Sequence, residues 1–556
     1  MFKVHAMRNH SLPVLFAAAI LTAAAAPAVA QTAASAPATL KLTVDEAVKM
    51  ALGDNLDLAA DRLDPQIGDT QVAAAASAFR PTISSSVQRN NQLQPPASFL
   101  IPTATRTDVV TSNVGLNQRL QWFGTSYSLS WDNSHTDSNS FLNSYNPLMR
   151  SGLSLNVSQP LLRDLATDAP RLQLTTSRLN RDAAGSRLKE SEVRTVAGVK
   201  AAYWNLVSAK ANVDARRTAL QLAEELARVN KAKVDVGQSP PLDLVSAQAE
   251  VASNQEQLII AETAVRQAED RLRVLIFDTT RRDNWNVALE PVDSPPVGTV
   301  ALDVDAAVSN ALRDRTDLER ARINVSTADS VLKYSGNQRL PDVRLNVSYQ
   351  ANGLGGTEVL RTGGFPGTIV GPGGDTGFGT VLDQLFRSDY PTWAAGVSIS
   401  YPLGQSTQDA TFARNKLERA QAEARVKSAE GKAIQQVRDA AWRVDMNAKR
   451  VETSRAATAL AEQRLDAEHK RFEVGMSTSF LVIQAQRDFV EARTNELSAI
   501  LAYNLSLVAF EALQQAGPQS EGQPAATTPA SPAASTALAT GRGLTTTQSV
   551  TSIPGF

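Results

Sequence analysis

The sequence predicts a mainly helical chain with a smaller β component, in which one long module occurs twice. The first observation is a repeat, because Leu42-Thr-Val-Asp-Glu-Ala-Val48 recurs as Leu302-Asp-Val-Asp-Ala-Ala-Val308, 260 residues later. The second is that Ala202-Tyr-Trp204 recurs as Ala440-Ala-Trp442 at a shift of 238 residues. The difference of 22 residues must fall in the β segment of the first copy. Similarity at this spacing indicates two supersecondary units that pack with pseudo-symmetry.

The N-terminal residues have the pattern of a secretory signal. Lys3 and Arg8 precede an apolar stretch from Leu12 to Ala26, and Ala28-Val-Ala30 supplies the small residues of a cleavage site. An N-terminal membrane anchor is the alternative, and the short, alanine-rich stretch disfavours it. The chain as a whole is predicted to divide into a signal peptide (1–30), a flexible segment (31–41), a first repeat (42–277), a linker (278–301), a second repeat (302–514) and a disordered Ala/Pro/Thr-rich tail (515–556).

The composition excludes several classes of function. The formal net charge is −1, so there is no basic field that would attract nucleic acid. Cysteine is absent, which excludes disulfides and thiolate chemistry. We find no Cys/His metal spacing, nucleophile elbow or phosphate loop, so the sequence predicts neither an enzyme nor a cofactor.

Each repeat is predicted to begin with a helix. The first runs from about Thr43 to Ala78 and is expected to break at Pro65, because proline lacks the N–H that a helix interior requires. Its counterpart runs from Val304 to about Gln338.

Strands follow the opening helix of each repeat. Apolar and polar residues alternate with the period of two that marks a strand with one apolar face and one wet face. The pattern predicts about four strands per chain, two in each repeat, and fits either a soluble sheet or a lipid-facing one. Tyrosines and tryptophans near the strand ends fit a membrane aromatic girdle. The alternating apolar positions are Leu153, Leu155, Val157, Val343, Leu345, Val347, Tyr349, Trp393, Ala395, Val397, Ile399 and Tyr401.

The segments between these strands are predicted to be loops or an added hairpin. Asn133 to Arg150 is polar and Asn352 to Tyr390 is rich in glycine, so both are predicted to be long outer loops. The extra 22 residues of the first repeat fit a hairpin from Val114 to Trp131 that turns near Gly124. The sequence leaves open whether this hairpin joins the sheet.

Long helices occupy the rest of each repeat. They are predicted from Arg171 to Val236 and from Ser406 to Val474, each about 100 Å long at 1.5 Å per residue. Each ends at a glycine and returns as a second helix, Leu242 to Ile276 or Phe480 to Leu513. A seven-residue apolar repeat marks a coiled-coil seam, at Val199, Leu206, Val213, Leu220, Ala227 and Val234.

This architecture implies an assembly. Four strands cannot close on themselves, and an open strand edge in lipid leaves backbone groups unpaired. Three copies would supply twelve strands and twelve helix columns. The resulting tube would begin in a membrane and extend about 100 Å from it.

Several motifs together resemble the outer membrane efflux protein family, the TolC-like exit ducts. The resemblance covers about residues 40 to 514. It rests on the duplicated order of these motifs, since none is specific alone. They are Phe472-Glu-Val-Gly475 with Leu481-Val-Ile-Gln-Ala-Gln486, Val236-Gly237 with Leu242-Asp-Leu-Val-Ser-Ala-Gln248, and Gln159-Pro-Leu-Leu162.

The resemblance implies a homotrimer in the cell outer membrane that extends into the periplasm. It implies a 12-stranded β-barrel and a periplasmic α-barrel whose tip docks an adaptor (membrane fusion) protein of an inner-membrane pump or ABC exporter. The docking residues would be Val236, Gly237, Val474 and Gly475. Gln238 and Met476 depart from the family's frequent leucine at the next position.

The resemblance also implies a pore constriction near the tips. Its candidates are Asp243, Leu481, Gln484 and Asp488, with Asp243 as the main carboxylate. An alternative for Asp243 is stabilisation of its own helix N-terminus.

Two other functions stay open at this stage. One is the outer-membrane channel of a type I protein secretion system. The other, from a different class, is a periplasmic structural coiled-coil or adaptor-like protein. The alternating strands disfavour the second, and the cargo is not readable from the sequence.

Overall fold

A computed structural model describes residues 39–518, apart from 97–103, 141–142, 297, 299–300, 365–366 and 405. The predicted signal peptide and most of the predicted tail lie outside this range. The helices are α1 (Val44–Asp54), α2 (Leu56–Asp61), α3 (Leu63–Ser77), α4 (Ala169–Asp235), α5 (Pro241–Ile276), α6 (Val304–Asp314), α7 (Thr316–Gln338), α8 (Phe378–Arg387), α9 (Thr407–Glu473) and α10 (Ser479–Leu513). The strands are β1 (Thr39–Leu42), β2 (Thr82–Gln94), β3 (Thr105–Arg119), β4 (Ser126–Ser138), β5 (Tyr145–Pro160), β6 (Ala288–Pro291), β7 (Asp342–Thr362), β8 (Thr368–Thr376) and β9 (Tyr390–Ser400).

The opening helices are interrupted at different positions from the one predicted. The first breaks at Asn55, whose side chain caps α2, and again at Arg62. The predicted break at Pro65 is wrong, because this proline lies in the first turn of α3, where backbone N–H groups have no helical partner. In the second repeat Arg315 separates α6 from α7.

The long helices agree with the prediction within two residues at each end. α4 and α9 each have 67 residues, which gives a length of about 100 Å. Asp168 caps α4 by accepting the backbone N–H of Arg171 at 2.9 Å, and Ser406 caps α9 through the N–H of Asp409 at 3.2 Å. α5 returns along α4, and α10 returns along both α9 and α4.

The predicted seam of α4 is only partly buried. Val199, Leu206 and Val213 are buried as expected. C-terminal to Val213 the stripe of buried residues moves to a neighbouring face of α4, because Ala219 follows Val213 after six residues rather than seven. From there it continues through Ala223, Leu226 and Asn230, and the predicted Leu220, Ala227 and Val234 are half-buried instead.

Two equivalent cores lie around the middle of the helices, one in each repeat. In the first, Tyr203 donates its hydroxyl to the carbonyl of Leu42 at 2.9 Å. In the second, Tyr503 donates to the carbonyl of Gly298 at 2.5 Å. β1 pairs in parallel with β6 beside the first core. The predicted flexible segment and linker therefore both contribute a strand to the folded body.

A single antiparallel sheet, whose strands differ in length, lies at the start of the long helices α4 and α9. The turns into α5 and α10 lie at the opposite end. Its strand order is β2-β3-β4-β5-β7, and β7 then pairs with β9 along its first half and with β8 along its second half. The prediction of about four strands is wrong, since the sheet has seven among the described residues. The predicted outer loops contain the ends of β4, β5 and β7, together with β8 and α8.

The hairpin that the sequence could not place joins this sheet. β3 and β4 pair with each other, and they lie between β2 and β5. Their turn contains Gly124 at φ +69°, where the sequence analysis expects it. The added residues therefore widen the sheet by two strands.

Two features at the end of the chain were not predicted. α10 is long and apolar enough to cross a membrane by length and composition, although it packs along α9 and α4. The packed body also extends past 514, because Ala516 is buried and the carbonyl of Gln515 accepts the N–H of Thr316 at 3.0 Å.

Candidate functional site

The sheet has one apolar face that is continuous across six strands. Residues directly opposite each other on β2, β3, β4, β5, β7 and β9 form a row of apolar side chains at one level. Ile83, at one end of this row, is 78% exposed, and Trp393, at the other, is 75% exposed. Exposed apolar surface of this extent marks an interaction surface. The row consists of Ile83, Leu116, Leu129, Leu155, Tyr349 and Trp393.

The opposite face of the same sheet is polar. One residue away from the apolar row, the side chains point to the other side and nearly all carry hydroxyl or amide groups. They line a groove of about 770 Å³ that also touches the end of α3. The polar face therefore borders the groove, and the apolar row lies on the other side of the sheet. This polar row consists of Thr82, Asn117, Ser128, Asn156, Ser348 and Ala394.

The two helical hairpins turn through the same backbone motif at the far end. Val236 caps α4, Gly237 follows at φ +73°, and the N–H of Gln238 donates to the carbonyl of Lys233 at 2.7 Å. The second turn repeats this arrangement, with Gly475 at φ +80° and Met476 donating to Arg471 at 2.8 Å. This is the Schellman motif, in which a left-handed residue, usually glycine, ends the helix.

Apolar side chains are exposed at both turns. Val236 is 69% exposed and Val474 is 70% exposed. Six such side chains lie at this end of the molecule, and we call them the tip surface. They are Val236, Leu242, Val474, Met476, Phe480 and Leu481.

Buried polar contacts join the two tips. The side-chain amide of Asn230 donates to the hydroxyl of Ser479 at 2.6 Å and lies 3.4 Å from the carbonyl of Asp243. The Nζ of Lys233 donates to the carbonyl of Phe472 at 3.1 Å and lies 3.6 Å from the centre of its ring. A small apolar cluster packs around these contacts, made of Leu226, Phe472, Val482 and Ile483.

An ion pair connects the return helices above the tips. The guanidinium of Arg487, on α10, donates to the carboxylate of Glu250, on α5, at 2.5 Å. Glu250 is buried, whereas the side chain of Arg487 is 67% exposed. The hydrogen bond and charge of Glu250 raise the pKa of Arg487 above its ordinary value.

The four predicted constriction residues have different surroundings. Asp243 lies in the first turn of α5, half exposed, and within the described part of the chain no ion pair involves its carboxylate. Leu481 and Gln484 are exposed on α10. Asp488 instead accepts a hydrogen bond from Arg464 of α9 at 2.9 Å, so its charge is matched by a partner. Because Asn230 contacts both Asp243 and Ser479, the starts of α5 and α10 lie side by side.

Three tip residues were missed by the sequence analysis. Asn230, Glu250 and Gln486 are buried polar residues that join one hairpin to the other. For Asn230 the sequence does contain a signal, because this asparagine follows Ala219, Ala223 and Leu226 on the apolar stripe of α4. A polar residue in such a stripe often specifies a particular helix pairing.

A second charged region lies in the second repeat, where α7 packs against the middle of α9. Arg315 is buried and donates to the Asp317 carboxylate at 2.8 Å and to the side-chain oxygen of Gln436 at 2.9 Å. Burial raises the pKa of Asp317, but the hydrogen bonds and charge of Arg315 together with backbone N–H donors lower it by more, so it lies below the ordinary 3.8. Among the described residues no group of His, Asp and Glu could hold a metal ion.

The outer membrane efflux protein family matches residues 122–276 and 307–515. The match spans more than half of the chain, and the chain belongs to this family. The resemblance drawn from the motifs is therefore confirmed. No curated protein sequence gives a significant match.

Solved structures share the fold. A membrane protein from Pseudomonas aeruginosa is 15% identical, with 86% of this chain and 92% of that chain covered and a TM-score of 0.62. The Campylobacter jejuni CmeC outer membrane channel is 15% identical, with 85% of each chain covered and a TM-score of 0.59. The Neisseria gonorrhoeae MtrE outer membrane channel is 18% identical, with 85% and 88% covered and a TM-score of 0.57.

Family and fold together decide between the classes that the sequence left open. The chain is an outer membrane efflux protein and not an enzyme. The adaptor-like alternative is wrong, because the family match covers both repeats and the sheet is a large, two-faced one.

Proposed function

We propose that this protein is the passive exit duct of a tripartite efflux system, assembled as a homotrimer in the outer membrane. The apolar face of the sheet contacts lipid, and the polar face lines an aqueous passage. The single observation that carries this proposal is the row from Ile83 to Trp393, apolar across six strands, beside a neighbouring row that is nearly all polar. Transmembrane β-strands alternate in this way.

The helical part continues the passage through the periplasm. At about 100 Å, α4 and α9 are too long for an ordinary globular core. Their packing with α5 and α10 supplies four helix columns per chain. Transport is driven by an inner-membrane pump, as the resemblance to the outer membrane efflux protein family implies.

The tip surface is the docking site for a periplasmic adaptor. Exposed valine, leucine, methionine and phenylalanine side chains at a turn are apolar area that a partner would cover. Backbone hydrogen bonds close the turns at Gly237 and Gly475 and hold this surface in one shape, which lowers the entropy cost of binding.

The start of α5 and α10 forms the narrowest part of the closed duct. Asp243 is its carboxylate, with Leu481 and Gln484 beside it, and Asp488 contributes less because Arg464 neutralises it. We expect the Asp243→Asn variant to lose block by polyvalent cations in single-channel recordings. Unchanged block would refute this role of Asp243.

The docking role can be tested in cells. The variant Val236→Glu/Val474→Glu places charges on the tip surface and should abolish efflux of a fluorescent dye, while the amount of trimer in the outer membrane stays normal. Gln421→Glu adds one such negative charge at an exposed position of α9 far from the tips and should leave efflux unchanged. Normal efflux by the tip variant would contradict the docking site.

A further inference from the structure

We infer that the outer-membrane wall of the trimer has eighteen strands rather than twelve, so that the passage through the membrane is about as wide as the helical tube below it. This inference rests on the proposed duct and concerns only its wall. The strands β2, β3, β4, β5, β7 and β9 form one uninterrupted antiparallel sheet. Three copies then give eighteen strands.

Each of the six strands is long enough to cross a membrane. Their lengths run from 11 residues in β9 to 21 residues in β7. A tilted membrane strand requires about 9–11 residues. The added strands β3 and β4 have 15 and 13 residues, so they are as long as their neighbours.

The added hairpin of β3 and β4 also has one apolar and one polar face, like the rest of the sheet. Leu116 and Leu129 occupy the apolar row between Ile83 and Leu155, and Asn117 and Ser128 occupy the polar row. A hairpin standing outside a barrel wall would have no reason to keep this register. A one-residue slip would place its polar side chains against lipid.

The slant of the sheet is that of a closed barrel. The apolar row begins at Ile83, one residue above the lower end of β2, and reaches β9 at Trp393, seven residues above its lower end at Ser400. With the lower ends at one level, the row climbs six residues in five strand steps. At about 3.3 Å per residue and 4.8 Å per strand this is a tilt of about 40°, within the range of about 35–45° for membrane barrels.

The two edges of the sheet fit each other. β2 ascends from its lower end and β9 descends, so β9 of one copy can pair antiparallel with β2 of the next copy. Both edges lie at ends of the apolar row, where Ile83 and Trp393 are the most exposed members. A second copy is therefore the occupant of each edge, since an unpaired strand edge in lipid leaves backbone N–H and C=O groups without partners.

The width of this wall matches the helices. A barrel with the tilt above has a backbone radius of about 18 Å for eighteen strands and about 12 Å for twelve. A ring of twelve helices spaced about 8–10 Å apart has a radius of about 15–19 Å. Eighteen strands therefore continue the helical tube without narrowing it, and the tips rather than the membrane segment limit the size of the cargo.

Spin labelling in lipid vesicles tests the inference. The chain has no cysteine, so single cysteines can be introduced without background. We would label Leu129→Cys and Ser128→Cys on β4, and compare them with their direct partners Leu155→Cys and Asn156→Cys on β5. Collision with oxygen reports lipid exposure, and collision with a soluble nickel reagent reports water exposure.

The outcomes distinguish a failure of the eighteen-stranded wall from a failure of the proposed duct. We expect the Leu129 and Leu155 labels to be exposed to lipid and the Ser128 and Asn156 labels to water. If the β5 labels alternate while both β4 labels are exposed to water, the wall has twelve strands and the inference is overturned, although the duct stands. If both pairs are exposed to water, the sheet is not in the membrane and the proposed function fails as well.

Discussion

The side-chain amide of Asn230, in α4, donates a hydrogen bond of 2.6 Å to the hydroxyl of Ser479, in the first turn of α10. Asn230 is 0% exposed, so this contact joins the two repeats inside the tip, away from water. The same amide lies 3.4 Å from the carbonyl of Asp243. One buried side chain therefore links the ends of both hairpins, and any separation of the hairpins must break its contacts.

The Asn230→Ala variant should loosen the tips. Loss of a buried hydrogen bond, with Ser479 left unpaired, costs about 1–3 kcal/mol. We expect faster protease cleavage in the turns at residues 236–240 and 474–478, together with a larger single-channel conductance. Asn205→Ala is the matched control, since Asn205 is exposed and donates only to Ala201 of its own helix. Equal cleavage of the two variants would contradict a linking role for Asn230.

The Glu250–Arg487 pair should couple α5 to α10 in a salt-dependent way. Glu250 is buried, but Arg487 is largely exposed, so solvent screening limits the coupling to about 1 kcal/mol or less. A double-mutant cycle with Glu250→Gln and Arg487→Gln measures it through urea unfolding midpoints. We expect the coupling to shrink between low and high salt, and additive effects at low salt would show that the pair contributes nothing.

The turn glycines should be required for their backbone conformation rather than for space. A Cβ at Gly237 or Gly475 would meet no atom within 4 Å, yet both residues have a positive φ. Replacement of either by alanine should therefore cost about 1–2 kcal/mol. Gly431 lies inside α9, also in open space, and Gly431→Ala should stabilise the protein by about 0.5–1 kcal/mol. Thermal midpoints measured by circular dichroism should move in opposite directions.

Acid should weaken the packing of α7 against α9 through Asp317. The pKa of this carboxyl is below 3.8 in the folded chain, because Arg315 and backbone N–H donors together outweigh burial. Its contribution to stability is therefore present above pH 3.8 and is lost as the pH falls through the folded pKa. Urea midpoints of wild type and Asp317→Asn should differ by a constant amount above about pH 5 and converge below pH 3.8. A difference that does not change with pH would contradict this account.

Much of the helical fold could be predicted because its causes are local. The absence of proline and the sparse glycine between Arg171 and Val236 predict one continuous helix, and Gly237 predicts where it ends. No break occurs at Pro65, because a proline in the first turn of a helix is tolerated. The exact course of the buried stripe also depends on the neighbouring helices, which a seven-residue count does not include.

The strands were harder to predict for a physical reason. Each needs only one apolar face about ten residues long, and in β4, β5 and β7 the outer ends are rich in serine, asparagine and glycine. Those ends are held by pairing with strands far away in sequence, as between Ser151 and Gly353. The composition of these strand ends therefore indicated loops, whereas in the structure the strands continue to pair there.

The candidate site also contains some residues that the sequence could predict and others that it could not. Val236, Gly237, Val474 and Gly475 were placed at the tips because a helix end has a local signal. Asn230 was missed, since its partner Ser479 is 249 residues away. The partner of Asp488, Arg464, lies on the preceding helix and could be identified only from the packing.

The central claim is that several copies of this chain must combine to seal the sheet. Native mass spectrometry of the full-length chain, extracted from the outer membrane in detergent, tests it most directly. We expect a complex with the mass of three chains that persists on dilution. A stable species with the mass of one chain would contradict the account, because one sheet with two free edges cannot form a conduit.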